Sequence, residues 1–286
     1  MTTLALLLAI AAPALAQTPA EHFSATKIKA ERGDADAQQK LADMYQRGTG
    51  TPANMDKACE WTLKAAEQGL TNAQYNGALC ALDGGDTQKA LHLLKAAGDK
   101  SHIKALMALA DLHMTGQYGM TVDLETAMGY YAQAADLGDA DAMAEVAMHT
   151  FATGDKNQAK EMMTKAAERG SIHAAATLGK FYWLGHGVEK DTDLARTWLI
   201  VAAESGHTNA MEDLAIVLLK TKTDGNSLQI EDAKTIYMWL LRAQKAGHTL
   251  SSSGSRVLEY IATTLPEPDR KQVDNLVADE KVLKRL

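Results

Sequence analysis

The stretch Gly170–Gly206, GSIHAAATLGKFYWLGHGVEKDTDLARTWLIVAAESG, reads as two short helices around a turn, opened and closed by glycine. From His173 to Leu184 the apolar residues Ala174, Leu178, Phe181 and Tyr182 keep helical spacing and define one face. Gly185 stops that helix, because glycine takes positive φ without strain. Asp191 stands four residues before Ala195, where its carboxylate can cap the next helix. In that helix Ala195, Trp198, Ala202 and Ala203 fall at i, i+3, i+7 and i+8, again one face. Small residues beside a large aromatic predict close helix packing. A hairpin this short cannot bury its faces alone and must stack on neighbours.

The second-helix pattern recurs in register. Ala58, Trp61, Ala65, Ala66 and Gly69 repeat it, as do Ala127, Tyr130, Ala134, Ala135 and Gly138. Ala159, Met162, Ala166, Ala167 and Gly170 fit as well. Ala90, Leu93, Ala97 and Gly98 fit, with Ser101 at the closing position. The last copy, Ile236, Trp239, Ala243, Gln244 and Gly247, is looser. Four residues before each leading position stand Asn54, Asp86, Asp123, Asp155, Asp191 and Asp232, all good helix N-caps. The tryptophans Trp61, Trp198 and Trp239 hold the packing slot and are expected in the core.

With these residues in register, the chain resembles a Sel1-like repeat protein, a relative of the tetratricopeptide repeats. The family's loop matches Gly185-His-Gly187-Val188-Glu-Lys-Asp191-Thr-Asp-Leu-Ala195, and its A-x-x-W-x-x-x-A-A-x-x-G stretch matches residues 58–69 and 195–206. The resemblance covers about residues 33–247. Units 69–100 and 138–169 lack most of the loop, and the last unit carries an insertion near Thr221–Gln229. The resemblance implies an all-α fold, an α-solenoid superhelix of about six helix-turn-helix repeats, here with a C-terminal helical cap.

Residues 1–16, MTTLALLLAIAAPALA, are apolar and uncharged, and Ala14-Leu15-Ala16 fits a signal-peptide cleavage site. The run is shorter than the ~20 residues a membrane-spanning helix needs. An alanine-rich signal on this repeat family implies a bacterial periplasm, with a mature start at Gln17. Residues 17–23 read as a flexible start, and Ser24–Arg32 as a lone helix capping the array. Residues 33–247 form the array. In 248–286 a polar Ser-rich stretch precedes an amphipathic helix through Val257, Leu258, Ile261 and Leu265. Pro266 and Pro268 stop it, and 269–283 read as a final helix, so this tail is expected to be the cap. The net charge of −7 argues against a nucleic-acid or anionic-membrane surface.

Chemistry-bearing motifs are sparse. Cys59 and Cys80 are the only cysteines, at matching levels on two antiparallel helices joined at Gly69; a disulfide and two quiet buried thiols both fit. Cysteine-rich members of the family have been linked to penicillin binding. Ser101-His-Ile-Lys104 matches the Ser-x-x-Lys of serine β-lactamases, but no Ser-Asp-Asn or Lys-Thr-Gly accompanies it, and a helix-end serine is the simpler reading. His102, His173, His207 and His248 recur near the closing positions without metal-ligand spacing, so no metal or cofactor is expected. First helices should line the concave wall, presenting Asp43, Arg47, Tyr75, Met107, Asp111, Met114, Lys180 and Trp183. Trp183, next to Tyr182, is expected to point away from the buried face. The expected role is a non-enzymatic periplasmic adaptor binding a protein or peptide by shape, a few apolar anchors and acidic complement. An envelope penicillin-binding enzyme and a structural spacer are the alternatives.

Overall fold

A computed structural model describes residues 18–223 and 228–279. The signal-peptide reading of residues 1–16 lies outside them. The described residues form helices without strands, in two compact units divided after Val122. Unit 1 holds α1 (Pro19–Glu31), α2 (Ala35–Arg47), α3 (Met55–Glu67), α4 (Thr71–Asp83), α5 (Thr87–Gly98) and α6 (Ile103–Thr115). Unit 2 holds α7 (Leu124–Asp136), α8 (Ala140–Thr153), α9 (Lys156–Glu168), α10 (Ile172–Leu184), α11 (Thr192–Glu204), α12 (Thr208–Thr223), α13 (Ile230–Lys245), α14 (Ser252–Thr264) and α15 (Glu267–Ala278). From α1 to α13 each helix packs chiefly on its neighbours in sequence within its unit, the packing of a repeat solenoid, while α14 lies on α12 and α13 and α15 lies on α13.

The closing glycines do what their position requires. Gly69, Gly138, Gly170, Gly206 and Gly247 have φ between 86° and 100°, and the chain reverses there by pairing its last free carbonyls. Gly206 N–H donates to Ala203 O at 3.0 Å and His207 N–H to Ala202 O at 3.0 Å. Ser101 takes the same left-handed turn at φ 61°.

Asn54, Asp86, Asp123, Asp155 and Asp191 cap α3, α5, α7, α9 and α11, each accepting at 2.9–3.0 Å from the backbone N–H three residues on, just before the leading alanine. Asp232 does not. The inserted repeat starts α13 earlier, with Gln229 at the N-cap, so Asp232 sits inside the first turn and pairs with Lys222 at 3.1 Å. First helices have caps of their own in Asp34, Asp139 and Ser171, and in His102, whose Nδ1 accepts from Ala105 N–H at 3.2 Å.

The core is a column of small residues with large side chains set between them from both helices of a repeat, such as Leu178 and Leu199. Ala90, Ala127 and Ala195 are 0% exposed. In the second helix the large buried side chain sits one residue beyond the expected slot, at Leu94, Tyr131, Met163, Leu199 and Leu240. Trp61 and Trp198 are only half-buried, and Lys64 Nζ lies 4.0 Å from the Trp61 ring centre; Trp239 alone of the three is buried. The reason is steric. Side chains at i and i+7 point into the close helix contact, and a side chain slimmer than an indole fills the space between them at i+4. Gly179 shows how close that contact is, since a Cβ there would lie 2.6 Å from Leu199 Cγ.

At the N-terminal end the order begins earlier than the sequence suggests. Thr18 and Glu21 form a reciprocal capping box, with Pro19 in the first turn of α1. A Cβ on Gly50 would strike Pro19 O, so the α2–α3 loop lies directly on α1, while Phe23 meets Tyr45 edge-on at 5.3 Å. At the other end Pro268 stands in the first turn of α15 instead of merely ending α14.

Candidate interaction surface

In unit 1 the first helices α2 and α4 and the start of α6 enclose a groove of about 580 Å³. Asp43 and Tyr75 line it, together with Gln39, Asn72, Asn76 and the segment Ser101–Lys104. Gln39 Nε2 donates to Asp43 Oδ1 at 2.9 Å, and the Tyr75 and His102 rings lie 5.0 Å apart. Burial, then the nearby Lys104 charge, hold the His102 pKa below its ordinary value. Arg47 and Asp111 are exposed, and Met107 and Met114 half-buried. Ser101 precedes α6 while Lys104 lies in its first turn, and no hydrogen bond joins the two side chains. That is not the arrangement of an activated nucleophile, which needs its base within hydrogen-bond reach.

Cys59 and Cys80 are joined in a disulfide with Cα atoms 5.6 Å apart, stapling α3 to α4. Such a bond suits an oxidising compartment.

In unit 2 Lys180 Nζ lies 3.6 Å from Asp213 Oδ2. Burial raises the Asp213 pKa, with the Lys180 charge acting in the opposite sense. Trp183 does not stand clear of the protein as the alternation with Tyr182 suggests. It is half-buried against the unit 2 core, with Lys190 Nζ 4.9 Å and Lys220 Nζ 5.4 Å from its ring centre. Lys190 reaches it from the α10–α11 loop and Lys220 from α12. Beside it, Phe151 and Phe181 stack at 4.7 Å, and Gly187 brings the α10–α11 loop onto Phe151 so closely that a Cβ would strike the ring.

One buried group escaped the sequence reading. Glu212, 5% exposed, accepts from His248 Nε2 at 2.7 Å, from Ser251 N–H at 3.1 Å and from the Ser251 hydroxyl. Burial alone would raise its pKa, but these hydrogen bonds outweigh that and the net shift is downward. Ser251 also caps α14, so one carboxylate ties the terminal helices to α12. The adjacency of Glu212 to a polar linker many residues later carries no sequence signal. Among the described residues no group of three His, Cys, Asp or Glu side chains is placed to hold a metal, and no helix is long and apolar enough to cross a membrane.

Helix pairs stacked in sequence order, with small-residue columns and a surface of uncommitted polar side chains, define a helical-repeat binding scaffold. The Sel1 repeat pattern matches residues 35–70, 71–102, 103–139, 140–171 and 172–207. These blocks cover more than half of the chain, which belongs to the Sel1 repeat family. The chain is 26% identical over 235 residues to the Saccharomyces cerevisiae chitin synthase regulator SKT5, over 76% of this chain and 33% of that protein. It thus spans about a third of the length of the curated relative it matches. A protective antigen of uropathogenic Escherichia coli strains is similar in structure, with a TM-score of 0.74 and 25% identity over 91% of this chain and 56% of that one. A Sel1 repeat protein from Oxalobacter formigenes is also similar, with a TM-score of 0.64 and 26% identity over 79% and 99%. Sel1 repeat proteins generally mediate protein–protein interaction.

Proposed function

We propose that this chain is a non-enzymatic periplasmic adaptor or scaffold in envelope regulation or signalling, binding a protein or peptide along its first-helix faces. The observation that carries this reading is the division of labour along each repeat. Packing consumes the small residues and the large buried ones, while Asp43, Tyr75, Met107, Lys180 and Trp183 remain at the surface of successive first helices. Export rests on the apolar run 1–16 and on the Cys59–Cys80 bond.

Affinity capture from a periplasmic extract, with wild type beside Trp183→Ala and Met107→Ala, tests the binding face. Loss of a specific partner in either variant supports it, and full recovery with both counts against it.

A further inference from the structure

Unit 2 carries a strip of lysines that its own acids leave unpaired. Lys190 Nζ and Lys220 Nζ both lie within 5.4 Å of the Trp183 ring centre, and neither has an ion-pair partner among the described residues. Lys190 also lines an adjoining cleft of about 790 Å³, together with Lys156 and Lys160 from α9 and Tyr182 from α10. Lys156 and Lys160 make no ion pair either, and Lys156 rests 5.9 Å from the Phe151 ring centre. Because Lys190 belongs to both places, the cleft and the tryptophan form one continuous surface.

The chain carries a net charge of −7, and between Asp123 and Asp155 it has no lysine or arginine at all. Other lysines of the unit lie against acids, as in Lys180–Asp213, Lys222–Asp232 and Lys234–Asp269. Lys156, Lys160 and Lys190 outnumber the two acids of the cleft, Glu189 and Asp191, so a ligand that supplies further negative charge is favoured there. A half-buried indole in the middle adds the apolar anchor that interfaces concentrate their energy on.

We infer that the surface formed by Lys156, Lys160, Lys190, Trp183 and Lys220 docks an acidic segment of a protein partner, with spaced carboxylates on the lysines and an apolar side chain on Trp183. This rests on the adaptor reading above and names the chemistry of its partner. The spacing argues for a peptide over a dense polyanion. The lysines come from three separate elements, and Glu189 and Asp191 stand in the same cleft. Asp191 is spent capping α11, but Glu189 would oppose a closely packed phosphate or an anionic membrane, while carboxylates spaced along a chain can avoid it.

The test is selection of random dodecapeptides displayed on phage against the whole protein, with subtraction on Lys190→Gln/Lys220→Gln. Both lysines are exposed, and matching thermal melts verify that the variant folds. The selected peptides should be rich in Asp and Glu around an apolar residue. They should bind the double variant roughly tenfold more weakly, as two lost charge pairs imply, and weaken in 0.5 M salt. Basic or neutral peptides, or none that distinguish the two proteins, would overturn the inference. So would stronger binding to phosphatidylglycerol vesicles or to pyrophosphate than to any acidic peptide. If periplasmic capture yields a partner that the double variant retains, the adaptor reading stands and the acidic-segment inference falls. If selection yields acidic peptides but capture yields no partner, the adaptor reading is the one that fails.

Discussion

At the scale of single residues, one position per repeat carries much of the packing. Leu199 is fully buried between α10 and α11, while Trp198 beside it is half-buried. Leu199→Ala should therefore lower stability by about 3 kcal/mol, whereas Trp198→Phe should cost under about 1 kcal/mol. Urea unfolding followed by far-ultraviolet circular dichroism measures both. The reverse order would show that the indole is the core residue after all. The Cys59–Cys80 bond closes a loop across a separation of 21 residues. In the chain-entropy account it stabilises by about 3 kcal/mol. Reduction, or Cys59→Ser with Cys80→Ser, should lower the thermal midpoint; an unchanged midpoint would show that the bond contributes nothing beyond the packing of α3 on α4.

At the scale of elements, two helices begin on a histidine that must be neutral to do its work. His102 Nδ1 and His207 Nδ1 each accept at 3.2 Å from a backbone N–H in α6 and α12. A protonated imidazole has no acceptor left. Burial is the main cause holding both pKa values below the ordinary one, reinforced by Lys104 at His102 and by His173 at His207, with Asp213 opposing at the latter. The sign follows from linkage. Below the ordinary histidine value of 6.5 the unfolded chain takes up protons that the folded chain resists. Stability is complete above that value and is lost as pH falls through the lower folded values. His102→Asn with His207→Asn keeps a capping acceptor without the titration, so the variant's urea midpoint should change less between pH 7.5 and 5 than wild type's. Equal slopes would remove the caps as the cause. These caps show where sequence reading stopped. The aspartate caps were legible because carboxylates before an apolar run are a strong signal, whereas a histidine in the same place looks like any surface imidazole.

At the scale of the whole molecule, each helix packs chiefly on helices one or two elements away in sequence, so damage should stay local. Glu212→Ala leaves His248 and the α14 cap without their shared acceptor. Hydrogen exchange should accelerate in α14 and α15 while α2–α5 keep their wild-type protection. Acceleration throughout the chain would show a single cooperative unit instead. The same locality explains why the repeats tolerate shortened loops at Gly85-Asp86 and Gly154-Asp155 and an insertion before α13 without losing the helix pairs.

The sequence by itself determined the helix pairs, their turns and most of their caps, because these depend on residues within a turn or two of each other: glycine for a left-handed reversal, carboxylates for free N–H groups, alanine for close approach. Only the tertiary structure decided which face each large side chain takes. The i+3 and i+4 positions of a helix lie 100° apart, and a neighbouring repeat chooses between them by the space it leaves. It placed Leu199 inside and Trp198 at the edge, brought Lys190 and Lys220 to Trp183, and set Glu212 beneath Ser251. Those contacts join parts of the chain that carry no mutual signal until the repeats are stacked.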